Sequence, residues 1–501
     1  MRLEKILQKT WLQLLPFVVA SIILFFPVVN NSFLSDDFQI MKRLGLDKKI
    51  LIKGFFRPLS DITLYFNYLV GRFNPVGYYL FNILLHGINS FLLFQFCVKW
   101  KWTSDTFRQR IYALIAAFLF LTYPFHNESI AWLGGRASIV ANSFGLFALY
   151  ILVSDLSEKI KVFGVCACYF IGLASYESII LLPIMIIILM YKQISIRQYI
   201  YWLGAMGATL CIHLLIRIWI SGGVLGSYGE NFFTQRLLNY TANVFKVTGR
   251  LFLPPVENSY SLIIIFILLS LFLSAVFVLF FKRFRQQFVI KNYLFKLLIL
   301  LAVASVIPVL FGVSTRTTES ERFLYFPSYF FCCCISFLLV NLIRFKKKLL
   351  GAVILLGVYN ICFLEKDNLH WVKASNIAKN ILNTIKSQDT SKKIYVVNVP
   401  DELDGAFIFR VGIKDAFIIN GIDTSKVLIV NRLTRTQMLA LPEIIKAKEN
   451  NDEIIIPPLV TVKKGGATYD QLSVEHDNIN LLAGKETIVL YWDKRKLIKP
   501  D

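Results

Sequence analysis

The sequence predicts a polytopic α-helical membrane protein of about 11 transmembrane helices, followed by a small C-terminal α/β extracytoplasmic domain. Three observations lead there. Of 501 residues, 56% are hydrophobic and only 17% charged, whereas soluble domains carry about a quarter charged residues. Long apolar runs recur from the first residues to about residue 364. After Phe363 the pattern changes to short β-branched stretches separated by polar turns. The expected division is therefore 1–365, membrane-embedded, and 366–501, a soluble α/β domain.

The apolar runs fall near 11–29, 78–98, 111–124, 137–153, 162–174, 178–191, 199–220, 259–281, 295–313, 323–343 and 349–364. A spanning helix needs roughly 17 to 25 residues, fewer where it is interrupted. Lys plus Arg number 54 against 32 Asp plus Glu, a net charge of +22. In a soluble chain that excess would suggest nucleic acid. Residues 365–501 hold 20 basic and 18 acidic residues, however, so the excess lies in the apolar portion, and no nucleic-acid partner is expected.

Placing the N-terminus, with Arg2, Lys5 and Lys9, in the cytoplasm puts 20 basic and 4 acidic residues on the cytoplasmic side. The other side carries 14 basic and 10 acidic residues. Excess Lys and Arg stay on the cytoplasmic side, so an odd number of spans leaves the C-terminal domain outside. The eight cysteines sit in or beside apolar runs, where they read as small apolar residues and not as disulfide or zinc ligands.

The first run ends in Asn30-Asn31-Ser32, and two adjacent carboxylates, Asp36 and Asp37, follow at the membrane boundary. Charge there is costly unless it has a use. Asp also favours helix N-caps, but a cap needs one carboxylate. The functional reading is that one Asp takes a proton from an attacking hydroxyl while the second sets its basicity or holds a cation. Amphipathic segments at 41–46 and 64–70 flank Arg57 and predict short interfacial helices.

Three hairpin tips on the same face collect polar residues. The first carries His126, Glu128 and Arg136, with Gly134 and Gly135 allowing close backbone approach. The second carries Tyr176 and Glu177, and the third Arg217 leading into a glycine-rich stretch from Ser221 to Gly229. A later loop adds Glu321 and Arg322. Arginines at helix ends either snorkel or recognise phosphate through paired hydrogen bonds. Clustered beside a lipid-accessible cavity, Arg57, Arg136, Arg217 and Arg322 would suit a lipid-linked phosphate. In the C-terminal part, 369–386 predicts an amphipathic helix, and 394–399, 406–409, 427–430, 453–456 and 487–492 predict strands.

Six stretches resemble, in order, the membrane portion of the GT-C glycosyltransferases. They are 33–38 (FLSDDF), 56–68 (FRPLSDITLYFNY), 78–86 (YYLFNILLH), 123–137 (YPFHNESIAWLGGRA), 175–178 (SYES) and 321–328 (ERFLYFPS). The likeness is strongest to the transmembrane-and-TPR O-mannosyltransferases and their bacterial relatives, and covers roughly residues 10–365. It implies a sugar taken from a polyprenyl-phosphate donor and passed to a protein, lipid or glycan acceptor, on the outer face of a bacterial cytoplasmic membrane. Asp36 and Asp37 would then serve the acceptor hydroxyl, Arg136 and Arg322 would lie near the lipid phosphate, and a divalent metal remains open. Two departures stand out: Tyr176 occupies a position where relatives commonly have Lys, and no TPR array follows. A lipid or polysaccharide transporter, or a non-catalytic subunit of a glycosylation complex, are the alternative readings.

Overall fold

A computed structural model describes residues 10–52, 54–223, 237–389, 391–450, 453–464, 471–475 and 478–500. Arg2, Glu4, Lys5 and Lys9, and Gly226 to Gly229 of the glycine-rich stretch, lie outside the described residues. The chain forms two compact units. The first comprises the described residues up to Val29, Lys49–Val70 and Val76–Asn368; the second comprises Asn30–Lys48, Gly71–Pro75 and the described residues from Leu369 onward.

The first unit is helical. Among the described residues, eight helices are long and apolar enough to cross a membrane: Leu12–Asn30, Val76–Lys99, Leu133–Val153, Ile196–Ser221, Tyr260–Arg283, Phe288–Phe311, Glu321–Leu342 and Lys346–Lys386. The protein is thus a multi-pass membrane protein. Three further expected runs form shorter helices, Thr106–Leu121, Glu158–Leu173 and Leu182–Met190, the last entered through a 3-10 turn at Glu177–Ile179. Residues at the ends satisfy otherwise unpaired backbone groups. Asp105 accepts from the N–H groups of Phe107 and Arg108, Ser195 and Gln198 form a capping box, and Gly222 ends its helix at φ +81°.

Burial sorts these helices. Val76–Lys99, Leu133–Val153 and Glu321–Leu342 are largely enclosed, and Cys332, Cys333 and Cys334 lie inside this packing. Tyr260–Arg283 buries none of its most apolar 18 residues and presents Ile263, Ile267, Leu271 and Phe272 outward, as a lipid-facing helix does. In the connection before the second long helix, the expected short helices appear as Asp36–Met41, continued by a π-turn at Lys42–Leu46, and as Pro58–Gly71.

The expected span 349–364 and amphipathic helix 369–386 are one continuous helix, Lys346–Lys386. Glu365-Lys366-Asp367-Asn368 contains neither Pro nor Gly, so nothing interrupts the hydrogen-bond ladder. In the second unit this helix buries Trp371, Ala374, Ala378, Ile381, Leu382 and Ile385, one face at helical spacing. The β structure there includes a four-stranded sheet in the order Leu497–Ile498, Thr487–Trp492, Lys393–Val397, Val427–Ile429. Its Lys393–Val397 strand is parallel to both neighbours, with Tyr395 opposite Val489 on one side and Leu428 on the other. A five-stranded sheet runs Gln471–Glu475, Asn478–Ala483, Val460–Lys464, Glu453–Ile456, Lys448–Asn450.

Candidate functional site

In the first unit, the helix tips converge on one carboxylate. Glu177, in the 3-10 turn, lies 2.7 Å from Arg217 and 3.9 Å from Arg57. Backbone hydrogen bonds hold the contributing segments: Gly54 N–H donates to Ser221 O at 3.2 Å, and Leu59 N–H to Ala174 O at 3.1 Å. Burial raises the Glu177 carboxyl, but Arg57 and Arg217 outweigh it and hold the group below the ordinary carboxylate range. Two guanidiniums therefore share one ionised carboxylate. Arg217 is buried, and its Nε–H has no partner among the described residues, an arrangement that costs stability unless something else accepts that hydrogen.

Tyr176 explains its own place in this cluster. The Arg57 guanidinium lies 4.6 Å above its ring, and the ring stacks on Phe323 at 6.2 Å, 19° from parallel. Phe323 in turn lies 4.7 Å from the Arg322 guanidinium and stacks on Phe311 at 5.0 Å. An aromatic pair thus bridges two arginines, and cations over aromatic faces are favourable. A lysine at 176 would bring a third cation toward Arg57 and Arg217.

Arg322 is paired. Its guanidinium meets Glu128, and its backbone N–H donates to the other Glu128 oxygen at 2.9 Å. Glu128 is fully buried, and burial pushes its carboxyl up while Arg322 opposes the shift. A Cβ on Gly135 would come within 2.2 Å of the Glu128 carbonyl oxygen, so only glycine permits the turn that seats this carboxylate.

Arg136 is buried too, and three of its partners are neutral groups. It donates through Nε to Asn82 Oδ1 at 2.7 Å, through Nη1 to Asn67 Oδ1 at 2.6 Å, and through Nη2 to Tyr78 O at 2.6 Å. His126 sits in a cage of Phe120, Tyr123, His86 and Tyr325, with Nε2 2.8 Å from Ser328 Oγ. Burial, with His86 adding to it, holds the imidazole far below its usual pKa, so it is neutral. Glu321 is engaged by Arg250, both buried, and Arg250 also donates to Ser314 O at 2.9 Å and to Leu253 O. Arg250 is absent from the sequence-based candidates; its only signal there is a lone Arg in the amphipathic Leu237–Phe252 helix.

Two cavities beside that helix differ in character. One, of about 460 Å³, is apolar and lined by Val244, Val247, Leu251, Leu298, Leu301 and Val309. The other, of about 700 Å³, is polar and lined by Asn243, Lys246, Ser314 and Glu319 among others.

The acidic pair belongs to the second unit. Asp37 is fully buried, and its Oδ2 accepts the Leu34 N–H at 3.1 Å while its own N–H donates to Leu34 O at 2.9 Å. Asp36 is partly exposed and accepts the Ser35 hydroxyl at 3.2 Å. Adjacent in sequence, the two carboxylates have different environments. Among the described residues, no three His, Cys, Asp or Glu side chains cluster closely enough to hold a metal ion.

Sequence comparison finds similarity to protein O-mannosyl-transferases. The chain is 38% identical over 109 residues to TMTC4 of Mus musculus, 20% of this chain and 14% of that protein. It is 31% identical over 104 residues to tmtc2 of Xenopus laevis, 21% of this chain and 12% of that protein. It is 34% identical over 88 residues to Tmtc1 of Drosophila melanogaster, 18% of this chain and 10% of that protein. The match thus spans about an eighth of the length of these curated relatives. No family model matches the chain. Among solved structures, ArnT from Cupriavidus metallidurans bound to undecaprenyl phosphate aligns over 88% of this chain and 96% of its own, at 11% identity and a TM-score of 0.47.

Proposed function

We propose that the protein is a GT-C-type membrane glycosyltransferase that moves a sugar from a polyprenyl-phosphate carrier to a hydroxyl of a protein, lipid or glycan on the extracytoplasmic face of a cytoplasmic membrane. The observation that carries the reading is the similarity to O-mannosyl-transferases, 38% identity over 109 residues at its highest of the three. The site chemistry supports it. Asp36, the partly exposed member of the acidic pair, serves as base, and Asp37 holds the turn that presents it.

The acceptor oxygen attacks the anomeric carbon and its proton passes to Asp36. The bond from that carbon to the phosphate oxygen breaks, and polyprenyl phosphate leaves with the electron pair, inverting the centre. A phosphate leaves without a general acid, so cations placed where its charge grows supply the remaining stabilisation. Arg217, with a buried unpartnered Nε–H, and Arg57 are the favoured contacts. The apolar cavity alongside Leu237–Phe252 suits an isoprenoid chain. Arg136 and Arg322 complete the candidate set, and residues 366–501 form the extracytoplasmic domain.

The test is transfer of label from a polyprenyl-phosphate sugar by membranes containing the protein. Asp36→Asn is expected to lower turnover by about 10² to 10⁴ at saturating donor, the usual value of a general base. A parental rate for Asp36→Asn would move the catalytic centre elsewhere.

A further inference from the structure

We infer that the segment Ile408–Gly412 of the C-terminal unit positions the acidic pair, so that this domain builds the catalytic loop as well as following it in the chain. The inference rests on the reading of Asp36 as base. Ser35, which precedes the pair, has φ 46° and ψ −117°, a backbone state that a residue with a side chain rarely adopts. Such a state persists only where its surroundings dictate it, and here the contacts from outside its own loop include a set from one segment.

Ser35 N–H donates to Ile408 O at 2.9 Å, and Val411 N–H donates to Ser35 Oγ at 3.3 Å. The Ser35 hydroxyl then donates to Asp36 Oδ1 at 3.2 Å, so a short relay runs from the Val411 amide to the proposed base. Phe38 stacks on Phe409 at 6.0 Å, 19° from parallel, and Lys42 lies 3.5 Å from Asp415. The tightest point is Gly412, at φ +77°, where a Cβ would come 2.5 Å from Ser35 O. Relief to ordinary van der Waals separation needs a movement of roughly 1 Å.

Gly412→Ala therefore displaces Ser35 and, with it, the Asp36 carboxylate. A 1 Å error in a catalytic group costs about 10²-fold in rate. The control is Gly421→Ala: Gly421 also has positive φ, +69°, but no atom within 4 Å of the position its Cβ would take. It carries the same backbone penalty without touching Ser35.

The experiment measures kcat and donor KM in the full-length protein, together with amide hydrogen exchange over residues 33–41. In Gly412→Ala, exchange over 33–41 is expected to rise and kcat to fall about 10²-fold with donor KM unchanged; Gly421→Ala is expected to match the parent in all three. Unchanged exchange in Gly412→Ala overturns the inference whatever the activity, and so does raised exchange with a parental kcat. Equal losses in both variants also overturn it, since unit stability alone would then account for them. Failure of the functional reading is read separately, from a parental rate in Asp36→Asn.

Discussion

Arg322 is the residue at which a structural role and the proposed donor-binding role are hardest to separate, and the structure supplies a way to do it. Its guanidinium is the charged partner of Glu128, whose side chain is 0% exposed. Removing one partner of a buried pair costs about 3–5 kcal/mol, because the other charge stays behind without compensation. Arg322→Ala leaves one contact intact, the backbone N–H that reaches Glu128 at 2.9 Å, and the Arg322 side chain is itself 22% exposed. A charge-assisted bond of that kind is worth about 1.5–3 kcal/mol, so the expected loss is nearer about 2–3 kcal/mol. Arg322→Ala alone therefore lowers the thermal midpoint and cannot by itself report on donor binding. Arg322→Ala with Glu128→Gln removes the stranded charge, keeps an acceptor for the N–H, and is expected to recover most of the lost stability. Thermal unfolding in detergent and donor KM are measured for the wild type, both single variants and the double variant. If Arg322 contacts the lipid phosphate, donor KM stays raised in the double variant by roughly tenfold or more, the value of a lost charged hydrogen bond. Recovery of both stability and KM would refute the donor role and leave Arg322 as the counter-ion of Glu128.

Two further outcomes are expected. A reporter active only outside the cytoplasm should function when fused after Asp501, as the basic asymmetry of the loops requires; activity only as a cytoplasmic fusion would invert the orientation and with it the face assigned to the site. Glu177 should impose an acid limit on stability. Arg57 and Arg217 overcome burial and depress its pKa, so its stabilising contribution is complete above the ordinary carboxylate value near 4.5 and is lost as pH falls through the lower folded-state value. The thermal midpoint of the parent is expected to fall more steeply than that of Glu177→Gln below about pH 4.5, and parallel slopes would show that the carboxylate is not held by the two arginines.

The helices are legible in the sequence because a bilayer demands long apolar runs, and residues 10–364 supply them with few interruptions. Less legible are strands Val460–Lys464, Gln471–Glu475 and Asn478–Ala483, where Lys, Gln, Ser, Glu and Asn dilute the β-branched pattern. The join at 365–368 reads as a break because its polarity changes, yet polarity does not end a helix when no Pro or Gly is present. For the site, residue chemistry locates charges at the ends of apolar runs but cannot pair them. Arg57, Glu177 and Arg217 are separated by 120 and 40 positions in the sequence, and only the packing of several helix ends makes them one cluster. Arg136 shows the same limit: an arginine beside paired glycines has the composition of an anion site, while Asn67, Asn82 and the Tyr78 carbonyl engage its guanidinium.

Asp36 and Asp37 show why adjacency does not mean equivalence. Successive helical residues point about 100° apart around the axis, so two neighbours at the start of the Asp36–Met41 helix cannot both face the same side. Asp37 turns inward and accepts the Leu34 N–H; replacing it with Ala would strand a buried donor at a cost of about 1–3 kcal/mol. Asp36 keeps partial access to solvent and is reached through the Ser35 hydroxyl. A base must meet an incoming hydroxyl within hydrogen-bond reach, a requirement that favours the partly exposed carboxylate over the enclosed one. In the proposed reaction the two carboxylates would act in complementary ways, the inner one fixing the geometry of the turn so that the outer one can accept a proton.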